Sequence, residues 1–203
     1  PAEKDVVETE VLQDEASAQR FVEGLSKGEA LGLQCLISSG PGMQAELLGM
    51  ALSVGDKTAF VPLDVHAYMR PIILVLHDST RTKVVHDLKA TLLAFHRIGV
   101  TLAGPYLDAM VADYLLNPNR RDHQLETIAF EVLGHRLGVG KQEKAVPKSL
   151  FDAEDTGSRE EATEAASVLA KLAQPMTERL SEQGSFALFT DVEMPLVPVL
   201  AEI

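Results

Sequence analysis

Three short apolar runs, Ala30 to Ile37, Glu46 to Val54 and Thr58 to Leu63, follow one another with only turn-forming residues between them. The breakers are Ser38-Ser39-Gly40-Pro41-Gly42 and Gly55-Asp56-Lys57, so the stretch predicts a three-stranded antiparallel meander. After Leu63 the pattern switches to alternation. Pro71 suits the first turn of a helix through Leu76, Lys83 to His86 is a brief strand, and Leu88 to Arg97 repeats apolar residues at helical intervals. Leu102 to Leu107 gives another strand, and helices follow at Ala109 to Leu116 and Gln124 to Leu133. A meander that gives way to alternating helices and strands predicts an α/β fold, a mixed central sheet with helices on both faces.

The ends are less patterned. Pro1 to Asp14 reads as extended, anchored by Val6, Val7, Val11 and Leu12, and Glu15 to Leu25 has helical spacing through Ala18, Phe21, Val22 and Leu25. Gly134 to Ser158 reads as a loop or linker, and the last long element is expected from about Arg159 to Gln183. The 203 residues, 46% of them hydrophobic, suit one domain with a large core. No apolar run reaches the roughly 20 residues of a membrane span. Residues 1 to 30 are acidic and polar where a signal peptide would be basic and then apolar, which leads us to expect a cytoplasmic protein without a membrane partner. The one cysteine, Cys35, lies in an apolar run and reads as a core residue.

The net charge of -12 opposes an unaided grip on nucleic acid, because phosphate contacts supply most non-specific affinity. The charge is uneven, however. Lys57 to Arg121 holds eight Lys or Arg against five Asp and no Glu, whereas residues 1 to 29 hold eight acids against three bases. Lys89, Arg120 and Arg121 are therefore candidate DNA contacts, with solvated faces as the simpler reading.

One stretch, YLDAMVADYLLNPNRRDHQLETIAFEVLGHRL from Tyr106 to Leu137, is far more specific than these patterns. Asp108, Met110, Tyr114, Leu115, Leu116, Asn117 and Pro118, followed by His123, Leu125, Ala129, Leu133, Gly134 and His135, resemble the 3'-5' exonuclease domain of bacterial DNA polymerase I, a family A polymerase. The element order agrees with the ribonuclease-H-like, DnaQ-type exonuclease fold that this resemblance implies. A second stretch, TDVEMPLVPVLAEI from Thr190 to Ile203, resembles through Glu193, Pro195, Leu196, Val199 and Leu200 the segment that opens the polymerase domain in that family. The resemblance thus implies a vestigial exonuclease-like domain over 1–189 and the truncated start of a polymerase domain over 190–203. The implied partners are the polymerase and 5'-nuclease domains of one parent chain, with DNA met through that parent enzyme.

Activity in the family depends on four carboxylates that hold two divalent metals roughly 3.5 to 4 Å apart. Aligning the first family motif, Phe-Asp-x-Glu-Thr, on Ala30 to Ile37 places Gln34 at its Asp and Leu36 at its Glu. The second motif falls on Val85 to Thr91; Asp87, Leu88 and Lys89 keep its rhythm, Ala90 takes the aromatic position, and Thr91 replaces its closing Asp. Gly99 and Val100 preserve the end of the helix that follows. The third motif, Tyr-x-x-x-Asp, is matched to Arg159 and Thr163, with Glu160 and Glu161 beside them. An amide is a poor ligand for a hard cation and an isobutyl group is none. The expected product is a non-catalytic structural module without metal or other cofactor, in a parent DNA polymerase of replication and repair. Two alternatives stay open: an active metal-dependent nuclease with displaced ligands drawn from Asp87, Glu160 or Glu161, and a module that binds single-stranded DNA without cutting it.

The remaining constellations are weak. The six histidines, His66, His77, His86, His96, His123 and His135, have no paired spacing, which disfavours a structural zinc. Ser38 to Gly42 lacks the Lys-Ser/Thr of a phosphate loop and reads as a hairpin turn. Asp78, Asp108 and Asp113 read as caps rather than Mg²⁺ ligands. An apolar patch around Met194 to Leu200 is foreseeable, since the helix expected there has an apolar face without a partner in sequence.

Overall fold

The computed structural model describes residues 9–37, 46–63, 69–138 and 152–201. The Ser38 to Gly42 turn, His66 and most of the Gly134 to Ser158 linker lie outside the described residues. Six strands, β1 (Thr9–Val11), β2 (Leu31–Ile37), β3 (Leu47–Val54), β4 (Lys57–Pro62), β5 (Lys83–Val85) and β6 (Tyr106–Asp108), form one sheet in the order β1-β4-β3-β2-β5-β6. β2, β3 and β4 are the antiparallel meander, while β5 and β6 add to β2 in parallel and β1 adds to β4 in parallel. The sheet is mixed, as the switch in pattern after Leu63 predicts.

The helices are α1 (Glu15–Glu23), α2 (Met69–His77), α3 (Leu88–Arg97), α4 (Ala109–Leu116), α5 (Leu125–Leu133), α6 (Asp152–Glu182), α7 (Phe186–Leu188) and α8 (Met194–Ala201), with a π-helical turn at Phe189–Glu193. Two expectations need correction. α6 starts at Asp152, seven positions before Arg159, so the presumed linker is partly helix. The last strand is Tyr106–Asp108 rather than Leu102 to Leu107, and it begins directly after Pro105, which has no N–H to give to a ladder. β1 falls within the stretch read as extended, and its three residues are too few to show a strand period.

Register explains the division of the core. Leu33, Leu52 and Ala59 pair across the meander, as do Cys35, Met50 and Val61, so this face carries large apolar side chains. They join a core that includes Phe21 of α1 and Ile72 and Leu76 of α2, each side chain contributing about 2 kcal/mol by burial. The opposite face has the rows Gly32–Ser53–Thr58, Gln34–Ala51–Phe60 and Leu36–Gly49–Pro62, with small residues at its centre. Ser53 and Thr58 satisfy each other by a buried hydroxyl hydrogen bond of 3.0 Å.

On this face α6 comes down onto bare backbone. A Cβ placed on Gly32 would lie 2.0 Å from the Ala166 carbonyl oxygen and 2.6 Å from the Ala170 nitrogen. Gly49 likewise leaves room for the Phe60 ring, whose nearest atom would be 2.4 Å from an added Cβ. Ala162 and Ala166 then meet Ala51 and Phe60 in a compact cluster that Leu36 borders.

Strand β5, next to the edge strand β6, also buries Lys83 completely, with its ammonium donating to the Asp78 carbonyl at the turn before the strand. Arg81 braces the same turn by donating to the carbonyls of Ser26 and Glu29 at 2.9 and 2.8 Å. Burial depresses the Lys83 pKa from 10.5 to about 8.

Three tests probe this architecture. Gly32→Ala is expected to cost about 3 kcal/mol or to prevent folding, because backbone cannot yield as a side chain can. Gly99→Ala, at a φ of 69° with open space around it, is expected to cost about 1–2 kcal/mol by denaturant unfolding. For Lys83 the folded chain gives up a proton that the unfolded chain keeps, between about 8 and 10.5. Unfolding free energy should therefore rise between pH 7.5 and pH 9.5, and Lys83→Met should remove that rise. Tyr106, raised above 10 by burial, opposes it only at higher pH.

Candidate functional site

The cleft is assembled at the end of the sheet where β5 runs into α3. Val85 pairs with Asp108, which places the Asp108 carboxylate, 1% exposed, under the turn that leaves β5. One carboxylate oxygen accepts from Leu88 N at 2.7 Å, and the other accepts from Asp87 N at 3.2 Å and from Met110 N at 2.9 Å. Asp87 takes the left-handed conformation at φ 65° and caps α3 by accepting from Ala90 N at 3.0 Å. A single buried acid thus fixes the start of α4 and the start of α3 together. Burial raises its pKa and the backbone donors pull it back down.

Asp113, 2% exposed on α4, organises the next turn. It accepts from Asn117 Nδ2 at 2.8 Å, Arg120 at 3.1 Å and His123 Nδ1 at 2.5 Å. Arg120 also pairs with Glu131 of α5, and the His123 ring sits edge-on to Tyr114 at 5.6 Å between centroids. The His123 carbonyl lies 2.7 Å from His86 Nε2, which ties this network to the cleft. Most of the legible Tyr106 to Leu137 pattern is therefore a polar frame that holds α4, α5 and the β5–α3 turn in position.

The cleft itself has a volume of about 570 Å³. Its walls are Gln34 and Leu36 of β2, His86 beyond β5, Gln124 to Glu126 at the start of α5, Leu137 and Gly138, and α6 through Ser158, Glu161, Ala162, Glu164 and Ala165. Gln34 turns its amide onto its own strand, donating to Cys35 O at 3.1 Å, and Leu36 borders the Phe60 cluster. Burial pushes the Cys35 thiol up to about 12, so it is held protonated and unreactive.

Of the four positions matched to ligands, the structure brings Gln34 and Leu36 to the cleft. Thr91 and Thr163 are both buried and are not among its lining residues; their hydroxyls donate to the Asp87 and Glu160 carbonyls at 3.0 and 2.9 Å. Arg159 lies over the Phe60 ring at 5.1 Å. The α6 residues that reach the cleft are Ser158, Glu161, Ala162, Glu164 and Ala165, a face that the spacing of Ala162, Ala165 and Ala166 could have signalled as the side of close approach. His86, Glu126 and Glu164 were missed because nothing in their local sequence separates them from ordinary surface residues. Glu164 accepts from His135 Nε2 at 3.0 Å and from Gly138 N at 3.1 Å.

The other candidates are dispersed. Lys89 and Arg121 are exposed, whereas Arg120 is committed to Asp113 and Glu131. Asp78 accepts from Thr80 N in a turn that lines a different cleft, next to α1 and α2. Asp108 and Asp113 each act within the frame. Among the described residues no three His, Cys, Asp or Glu side chains converge so as to hold a metal ion. Nor does any single helix there have the length and hydropathy to cross a membrane.

Residues 42–138 match the family described as DNA polymerase I, ribonuclease H-like domain. DNA polymerase I of Pseudomonas aeruginosa is 29% identical over 218 residues, which take in 97% of this chain and 24% of that protein. DNA polymerase I of Streptococcus pneumoniae is 30% identical over 164 residues, 77% of this chain and 18% of the relative. The chain spans at most about a quarter of the length of these curated relatives. Escherichia coli RNase D superposes with a TM-score of 0.78 at 15% identity, covering 97% of this chain and 51% of its own. The POL domain of Pol1 from M. smegmatis, in complex with DNA primer-template and dNTP, gives 0.77 at 18% identity, covering 95% and 31%. Brucella melitensis NrnC with bound Mg²⁺ gives 0.71 at 17% identity, covering 96% and 90%.

These superpositions define the class: a mixed sheet flanked by helices in the ribonuclease-H-like, DnaQ-type exonuclease fold. Within that class, residues 42–138 match the DNA polymerase I model, and the chain is similar to the corresponding part of DNA polymerase I.

The frame can be tested directly. Asp108→Ala leaves buried backbone donors of two helices without an acceptor and is expected to cost about 3 kcal/mol. Asp108→Asn, which keeps one oxygen, should cost clearly less in the same denaturant titration.

Proposed function

We propose that this chain is a non-catalytic exonuclease-like module of a DNA polymerase I, with residues 1–189 as the vestigial domain and 190–203 as the lead into a polymerase domain. Its work is structural: it braces the polymerase and 5'-nuclease domains of a replication and repair enzyme, and it meets DNA only as part of that parent. The observation that carries this reading is the chemistry at the end of β2. An amide, Gln34, and an isobutyl group, Leu36, line the cleft, and alignment on the family's first motif assigns these two positions to anionic ligands.

The donor set does not fit a pair of divalent metals. Gln34 spends its amide donor on Cys35 O, and Leu36 has turned into packing against Phe60 and Ala162. Neither can offset the dehydration of a small divalent ion. Thr91 and Thr163, taken as the other two replaced ligands, bond to helical carbonyls, so every substituted position has an ordinary role in the fold. Replacement of clustered carboxylates by neutral groups also removes the repulsion that a metal would otherwise relieve.

The test is release of nucleotides from the 3' end of a labelled single-stranded oligonucleotide with Mg²⁺ or Mn²⁺. The chain is expected to leave the oligonucleotide intact. Shortening that co-purifies with the chain and disappears in Glu161→Gln or Glu164→Gln would overturn the proposal in favour of displaced ligands. A fluorescence titration with the same oligonucleotide is expected to show no salt-sensitive binding, and tight binding weakened by Arg121→Ala or Lys89→Ala would favour a DNA-holding module instead.

A further inference from the structure

One wall of the cleft is built differently from the others. Gly134 to Gly138 leaves α5 and runs past α6, and Leu137 and Gly138 line the cleft. Both end residues have positive φ, 68° at Gly134 and 73° at Gly138. A Cβ at either would meet nothing within 4 Å, so space does not demand glycine there. Backbone conformation does, and two left-handed glycines four residues apart make natural pivots for the short segment between them.

What holds that segment is concentrated in one side chain. Glu164, on the cleft-facing side of α6, accepts from His135 Nε2 through one carboxylate oxygen and from Gly138 N through the other. Among the described residues, the other ties belong to α5 or are individually weak: Gly134 N and His135 N donate to Phe130 O and Ala129 O at the helix end, and Arg136 lies over the exposed Phe130 ring at 4.9 Å. Leu137 adds a partly buried apolar contact with the core.

We propose that Gly134 to Gly138 is a hinged strap, latched across the cleft by the Glu164 carboxylate, and that the latch sets access to the cleft. Its two charge-assisted hydrogen bonds close the wall, and their loss lets the strap swing about its two glycines while α5 and α6 stay folded. The device is independent of whether the cleft carries out chemistry, because it rests on Glu164, His135 and the glycines alone.

Amide hydrogen exchange on the full chain tests it, read beside thiol labelling of an Ala165→Cys reporter inside the cleft in a Cys35→Ala background. In Glu164→Ala, exchange over residues 134–138 is expected to accelerate about tenfold or more, with labelling of the reporter rising in parallel and α5 and α6 unchanged. His135→Ala, which removes one of the two bonds, should give a smaller effect of the same kind. Unchanged exchange in Glu164→Ala would overturn the latch. So would acceleration spread evenly through α5 and α6, which would mark Glu164 as a general stabiliser. Faster exchange with unchanged reporter labelling would show that the strap does not control access.

Discussion

Everything at the cleft depends on the contact between the α6 backbone and Gly32. Helix and strand approach there to a distance that excludes even a methyl group. The approach sets which turn of α6 faces the end of β2, and hence which side chains stand opposite Gln34 and Leu36. Ala162 and Ala166 are small for the same reason: they fill the narrow gap against Ala51 and Phe60. The second constraint is the buried Asp108 carboxylate, which fixes the β5–α3 turn and the α4 start to one another. The two constraints secure opposite sides of the cleft without requiring any group that does chemistry.

On the proposed reading, that separation lets a nuclease frame outlast its ligands. Folding depends on the close contact at Gly32 and on the hydrogen bonds of Asp108, Asp113 and His123, whereas Gln34 and Leu36 are half-buried side chains that line the cleft. Once anionic ligands are gone, an amide can satisfy itself on its own strand and a leucine can join the neighbouring cluster. Among the described residues, the walls carry the carboxylates of Glu126, Glu161 and Glu164.

Much of this was legible in the sequence. The meander, α3 and α4 follow from apolar period and from breakers, and the Tyr106 to Leu137 pattern carried the family. The site was less legible, for a physical reason: alternation along β2 puts Gln34 and Leu36 on one face, so their place at the cleft could be inferred, but the rotation of α6 is set by contact with Gly32. Aligning a motif on α6 therefore chose Thr163, which lies buried outside the cleft, while Ser158, Glu161, Ala162, Glu164 and Ala165 face it. Arg120 shows the same limit. Its charge suggested a phosphate contact, and only the fold reveals Asp113 and Glu131 on either side of it.

The central claim is that the frame persists while its metal chemistry does not. A titration of the chain with Mn²⁺, followed by the loss of the free-ion electron paramagnetic resonance signal, tests it most directly. The account predicts no stoichiometric binding at millimolar Mn²⁺. Tight uptake of one or two ions per chain, abolished together by Glu161→Gln and Glu164→Gln, would contradict it.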